Sequence, residues 1–341
     1  MTETHHGRKQ RFLSSVEARS VKLDGLPTEV TIEITSRCQL ACLTCPRETL
    51  FKDLVHNREM EWELFERLAR RYVPHLDYLD LAGGLGEPLL YSRFADAVKL
   101  ARSLNPDAFI SLCTNACLPR TVRALEPVLG DLTELRISID AVEDEFERIV
   151  GQAGVWPKFR RIVGELIPLC EKNGTRLRFN SVVTPENFAG MPAVVSTLAE
   201  WGGRSLFVNG MNLAATDIGL DRYDFYVTDE YAEAMTALVE QGRRHGIEVD
   251  WHDQRTITGF ESCKAPWNNF YIAWNGLLAA CCAKPFPELL NFGHVENPNL
   301  EERINDEGLI EFRRLSLLNQ SPDFCRSCGA QHRAYAKGST P

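Results

Sequence analysis

No apolar run in the 341 residues approaches the roughly 18 that a membrane-crossing helix needs, and the opening Met1-Thr-Glu-Thr-His-His-Gly-Arg-Lys9 has no apolar core of the kind a secretory signal carries. On these two absences the expectation is a cytoplasmic protein with no membrane partner. Positive charge is also scarce: 38 Lys and Arg stand against 47 Asp and Glu, for a net charge of -9 and a pI near 5.5. A nucleic-acid groove draws on clustered cations that this balance does not supply, so nucleic acid is not an expected partner. No long internal repeat or low-complexity segment breaks the chain, which argues against a solenoid or propeller. What remains is the composition of a globular protein, 44% hydrophobic and 25% charged. The length accommodates one large domain of about 250 residues and a smaller one.

Cysteine is the exception to this spareness. Disulfides rarely persist in a reducing compartment, so the eleven cysteines point first to metal ligation. Cys38, Cys42 and Cys45 lie on one short loop, spaced CX3CX2C, directly after an apolar strand-like segment. Three thiolates so placed can hold three irons of a [4Fe-4S] cube and leave the fourth iron open to a substrate or cosubstrate, whereas a purely structural site would be closed. Zinc is the bland alternative, but its motifs usually come as two pairs, and this triplet has no fourth ligand nearby.

From residue 29 to about 250, short apolar strands alternate with amphipathic helices. Strands are expected at 30–34, 78–82, 109–113, 135–140, 176–183 and 205–209. The helices between and after them fall at 60–73, 92–104, 120–129, 155–173, 188–201 and 229–245, the first with Trp62, Phe65 and Leu68 on one face. Six β/α units in succession imply an α/β fold with a parallel sheet, right-handed crossovers and an active site at the carboxyl ends of the strands. After Thr256 the character changes. Two short apolar segments flank Asn275-Gly276, a dipeptide favoured in a two-residue type I′ hairpin. Such a turn can bring Cys281 back beside the segment that carries Cys263, and Cys325 with Cys328 completes a four-thiolate cage, closed and suited to holding or passing electrons. Cys282 could replace Cys281. Cys113, Cys117 and Cys170 read as buried small hydrophobes.

The first triplet resembles that of the radical S-adenosylmethionine (SAM) enzymes. In that family SAM chelates the unique iron and yields a 5′-deoxyadenosyl radical that takes hydrogen from substrate. The resemblance implies a partial, TIM-like (β/α)6 barrel over 29–255, following an N-terminal extension at 1–28. Gly83-Gly84-Leu85-Gly86-Glu87-Pro88 is similar to the family's "GGE" motif, which implies SAM contacts from Gly83, Gly84, Gly86 and Glu87. Ser138 and Asp140 look like the ribose and carboxylate contacts, and Asn180, Ser181, Thr114 and Asn115 are further polar strand tips. Each could equally cap a helix. Two departures stand out: Thr44 where many members carry an aromatic residue that leans on adenine, and Gln39 where Asn is common. The CX12GX4C and CX2C arrangement after Thr256 looks like the "twitch" domain, a shortened SPASM domain, and implies one auxiliary [4Fe-4S] cluster over 256–341.

Peptide-modifying relatives often carry an extra N-terminal recognition domain, for which the 28 residues before the first strand leave no room. The resemblance then implies a small polyhydroxylated substrate, such as an aminocyclitol, aminosugar or sugar nucleoside in antibiotic biosynthesis. It also implies an electron donor such as flavodoxin or ferredoxin. Oxidation of a secondary alcohol to a ketone, as in 2-deoxy-scyllo-inosamine dehydrogenase, competes with redox-neutral diol dehydration or epimerisation. Candidates for the accompanying proton or hydrogen transfer are Cys282, Glu87, Asn209, Asn212, Asp217, His252 and Asp253, and for any one of them a solvated or capping role is the alternative. A chain that only relays electrons is the reading from another class. It would have no use for a three-cysteine site beside a SAM-type glycine loop.

Overall fold

The computed structural model describes residues 5–48, 52–81, 84–210, 225–251, 263–268, 270–279, 281–282, 285–297, 299–320, 322 and 325. Helix α1 (His5–Glu17) leads to β1 (Glu29–Ile32), α2 (Trp62–Tyr72), β2 (Tyr78–Asp80), α3 (Phe94–Leu104), β3 (Phe109–Thr114) and α4 (Thr121–Leu125). Next come β4 (Glu134–Ser138), α5 (Glu143–Val150), α6 (Trp156–Asn173), β5 (Arg176–Val183), α7 (Met191–Trp201), β6 (Ser205–Gly210), α8 (Asp229–His245) and β7 (Glu248–Trp251). The C-terminal part holds α9 (Ala265–Asn268), β8 (Tyr271–Ile272), β9 (Leu277–Ala279), β10 (Asn291–His294), α10 (Leu300–Arg303) and α11 (Glu307–Leu317). The chain is a mixed α/β core followed by a small β/α segment. Among the described residues no helix is long and apolar enough to cross a membrane.

Local chemistry explains where the elements end. Helices α5, α6, α7 and α8 each stop at a glycine in the left-handed region, Gly151, Gly174, Gly202 and Gly246. The helix expected over 120–129 is α-helical only to Leu125, because Pro127 has no N–H to give and the chain tightens into a 3-10 turn over Glu126–Asp131. On α2, Phe65 and Leu68 are buried as expected, but Trp62 lies partly exposed beneath the Arg93 guanidinium, 4.3 Å from its ring centre.

The chain folds into two compact units built from separated segments, and the division falls inside β3. One comprises residues 1–37, 54–110 and 257–341, the other 38–53 and 111–256. In the first, the strands run β10-β9-β8-β1-β2. Here β8 pairs parallel to β1, with Thr31 opposite Tyr271, while β9 and β10 continue antiparallel. The C-terminal segment is thus not a separate appendage. Tyr72 on α2 also donates to the Val295 carbonyl at 2.9 Å and accepts from Leu300 N–H at 2.9 Å.

The hairpin between β8 and β9 corrects one expectation. Gly276 N–H donates to the Ala273 carbonyl at 2.8 Å, Ala273 N–H to the Leu277 carbonyl at 2.9 Å, and only Gly276 has positive φ, at +80°. This is a three-residue loop, a type I turn over Trp274-Asn275 followed by a left-handed glycine. Asn275 escapes positive φ because its side-chain oxygen accepts from Leu277 N–H at 3.2 Å and closes the turn from the other side.

In the second unit β3 to β7 are parallel neighbours in chain order. A parallel sheet covered on both faces reads as continuous apolar runs, but these strands alternate. Leu135, Ile137, Phe179, Val183, Leu206 and Val208 are fully buried on one face. The other carries Arg136, Ser138, Arg178, Asn180, Phe207 and Asn209, all of intermediate exposure. One face of the sheet is left polar.

Candidate active site

The cysteine loop of the second unit has no regular strand to hold it, so side chains and single backbone bonds do. Leu43 N–H donates to the Ile149 carbonyl at 2.9 Å, and Cys45 N–H to the Cys42 carbonyl at 3.0 Å. Gln39, a departure from the usual Asn, donates its amide to Asn115 Oδ1 at 2.8 Å, and Asn115 Nδ2 lies 3.8 Å from Cys38 Sγ. Asn115 is thereby a buttress of the loop. Its Oδ1 also receives Cys117 N–H at 3.0 Å, a local Asx turn rather than a helix cap.

The three thiols lie within electrostatic reach of one another. Burial is the main force raising the Cys42 thiol far above its ordinary value, followed by the charges of Cys45, Asp140, Cys38 and Cys117. Cys45 is pushed up to about 11, again chiefly by burial, and relieved in part by Arg47 through its N–H and its guanidinium. Thiolates crowded in this way need a cationic centre, and a coordinated metal deprotonates a thiol outright. The donor set therefore fits iron. Among the described residues no group of three or more Cys, His, Asp or Glu side chains is placed to hold a metal ion.

Polar groups at the carboxyl ends of β3 to β5 adjoin the loop within the same unit. Cys113, expected to be buried, is instead of intermediate exposure with its sulfur 3.7 Å from Ser138 Oγ. Asp140 is of intermediate exposure; desolvation lifts its carboxyl to about 6, against the pull of Val182 N–H, which donates to Oδ1 at 2.7 Å. Asn187 donates to the Asp140 and Val182 carbonyls at 2.8 and 2.9 Å, and Ser181 donates to the Ile139 carbonyl. Asn180 differs from these. Its Oδ1 is buried and accepts no hydrogen bond, an arrangement that costs stability unless a ligand completes it. Thr114 receives Ala116 N–H at 3.1 Å, and Asn209 lies on β6 opposite Val182.

The glycine loop belongs to the first unit, and Gly83 lies outside the described residues. A Cβ on Gly86 would stand 1.9 Å from the Thr35 carbonyl oxygen, and one on Gly84 2.5 Å from Pro285 Cγ, so both positions require glycine by close approach. Glu87 is buried, its carboxylate accepting from Leu89 N–H at 3.3 Å to cap the following 3-10 turn, and its own N–H donating to the Arg37 carbonyl at 2.7 Å. The cap places Glu87 as a structural anchor of this loop.

Of the second cysteine group, Cys263, Cys281 and Cys325 are of intermediate exposure, Cys282 is exposed, and Cys328 lies outside the described residues. Asn212, Asp217, His252 and Asp253 also lie outside them. Sequence reasoning missed the buried Arg47 beside Cys45 and the Glu33–Tyr271 pair in the first unit. A charged residue inside the apolar run Val30-Thr-Ile-Glu-Ile34 was the available signal for the latter.

Comparison with known proteins follows this geometry. The radical SAM superfamily pattern matches residues 32–179, and an iron-sulfur cluster-binding (SPASM) domain pattern matches 263–329. GTP 3',8-cyclase of Nautilia profundicola is 27% identical over 156 residues, which are 45% of this chain and 46% of that protein. The chain's match thus spans about half the length of this relative. PqqA peptide cyclase of Xanthomonas oryzae pv. oryzae is 22% identical over 319 residues, 89% of this chain and 80% of the relative. Among solved structures, Streptococcus suis SuiB bound to precursor peptide SuiA gives a TM-score of 0.69 at 16% identity, over 95% of this chain and 74% of SuiB. BtrN in complex with AdoMet and 2-DOIA gives 0.52 at 13% identity, over 87% and 89%. At these identities the structural likeness shows a shared fold.

Proposed function

We propose, from the premise that this chain is a radical SAM enzyme with a SPASM-type iron-sulfur domain, that it oxidises a secondary alcohol of a polyhydroxylated small molecule to a ketone. Within that reading the core is a partial (β/α)6 barrel. Cys38, Cys42 and Cys45 would hold the SAM-binding cluster, and Cys263, Cys281, Cys325 and Cys328 the auxiliary one. When bound, SAM and the two clusters supply a 5′-deoxyadenosyl radical to take substrate hydrogen and an acceptor for the electron that ketone formation releases.

The chain's own residues do the positioning. Ser138, Asp140, Asn115 and Asn180 would orient SAM from the strand ends of the second unit, and Gly83, Gly84 and Gly86 from the glycine loop. Glu87, whose Oε1 accepts from Leu89 N–H at 3.3 Å, would support that loop beside them. Asn209 on β6 remains a polar contact for substrate. The observation that carries the reading is the polar face of the second sheet, where Ser138 and Asn180, given to SAM, are followed on β6 by Asn209, an amide that both donates and accepts. Hydroxyl-rich substrates offer the matching donors. Loss of a neighbouring hydroxyl, or hydrogen return from Cys282, would turn the same start into dehydration or epimerisation. A peptide substrate is the second reading, favoured by the match to PqqA peptide cyclase over most of both chains.

Anaerobic reconstitution with SAM and dithionite, given deuterated aminocyclitols and nucleosides, tests the reading. Deuterium in 5′-deoxyadenosine and a ketone retaining every oxygen are expected, with Cys42→Ala at background. No transfer from that panel, with both clusters full, would overturn the substrate class, and no SAM cleavage at all would leave the electron-relay alternative.

A further inference from the structure

We infer that Tyr271 is a positioning residue for the glycine loop, and that through it the C-terminal hairpin sets the affinity for SAM. The inference rests on the reading of Gly84 as part of the SAM site. Tyr271 begins β8, is fully buried, and accepts the Gly84 N–H at 2.8 Å. Its hydroxyl lies within electrostatic reach of the Glu33 carboxylate, itself 1% exposed, whose Oε2 receives the Trp274 N–H at 3.3 Å from the hairpin turn. Three segments far apart in sequence therefore meet at one buried point: the end of β1, the hairpin and the glycine loop.

Packing enforces the same junction. A Cβ on Gly84 would meet Pro285 Cγ at 2.5 Å and the Cys282 carbonyl at 3.4 Å, so the loop lies flat against the chain just beyond Cys281. Burial and the charge of the Glu33 carboxylate hold the phenol protonated, and its oxygen is the acceptor for Gly84 N–H. A buried carboxylate with a buried phenol is costly to maintain where an apolar pair would serve packing alone. Glycine is the residue with most conformational freedom to lose, and an N–H pinned by a rigid aromatic removes that cost before a ligand arrives. Linkage then runs both ways: an ordered hairpin tightens SAM, and SAM orders the hairpin.

The test uses the reconstituted full-length protein and reads SAM binding from the change it causes in the EPR spectrum of the reduced cluster. Tyr271→Phe is expected to weaken SAM by about tenfold, the effect of one lost hydrogen bond, with iron content and the SAM-free spectrum unchanged. Glu33→Gln keeps an acceptor for the Trp274 N–H and leaves the Tyr271–Gly84 bond in place, so it is expected to hold SAM within about threefold of wild type. Removing an auxiliary ligand with Cys263→Ala should weaken SAM in the wild type and add less than its full effect in Tyr271→Phe. Wild-type affinity in Tyr271→Phe, or full additivity in the double variant, would overturn the inference. Should Tyr271→Phe fail to take up iron, a Glu33→Gln protein that binds SAM more than about tenfold worse than wild type would overturn it instead. A wild-type protein whose cluster spectrum ignores SAM would overturn the functional reading itself.

Discussion

The glycine loop and the cysteine loop are held in opposite ways. Around the glycine loop the described residues are tied to the fold: Gly84 N–H by Tyr271, Glu87 by Leu89 and Arg37, and Gly86 by a Thr35 carbonyl so close that no side chain fits there. Around the cysteine loop the thiols are crowded and hard to ionise, the half-buried Asp140 has its carboxyl raised, and the Asn180 amide oxygen has no partner. One region is finished by the fold. The other is finished by what binds, which is how a site can be both stable in outline and selective for a cofactor.

Gly86→Ala should break that contrast most severely. Overpacking a methyl against the Thr35 carbonyl is expected to cost more than about 3 kcal/mol, read as a fall in the denaturant midpoint of the cluster-free chain. Unchanged stability would mean that the loop is as adaptable as the cysteine side. Asp140→Asn sharpens the contrast through pH. The folded carboxyl holds its proton up to about 6, above the unfolded value near 4, so its contribution is full below pH 4 and lost as pH rises through 6. The cluster-free wild type should therefore lose about 2 to 3 kcal/mol between pH 4 and 7 that Asp140→Asn does not lose. Parallel pH profiles for the two proteins would show Asp140 to be less isolated than its burial implies. Asn180→Ala should have the smallest effect on folding, under about 1 kcal/mol, because it deletes a group that is already unsatisfied, yet it should weaken SAM binding about tenfold. A large loss of stability with unchanged SAM affinity would move Asn180 to the finished side.

Much of the fold was legible in the sequence. β5 and α8 occupy the expected ranges, and the other strands of the core fall within a few residues of expectation, because period-2 and period-3.6 patterns are local signals. Other elements escaped notice. Helix α5 is only eight residues long with three acidic residues in its first turn, and β10 owes its strand character to pairing with β9. The hairpin turn was misjudged because Asn275-Gly276 satisfies two turn types, and only the opposing register selects between them. Cys113 resembles Cys117 and Cys170 by residue type alone; its partial exposure beside Ser138 depends on which face of β3 it occupies.

Spacing along the chain alone determined the cysteine triplet, the glycine-rich turn after the second strand and the repeating β/α pattern, since each is written within about a dozen neighbouring residues. Tertiary structure decided which polar tips are spent on the backbone and which remain for a ligand. Ser181 donates to the Ile139 carbonyl and Glu87 accepts from Leu89 N–H, while the Asn180 amide oxygen finds no partner. It also decided that Tyr271 reaches Gly84 across 187 positions. Such pairings depend on strand register and burial, quantities set by the whole chain once it has excluded water, and no local pattern encodes them.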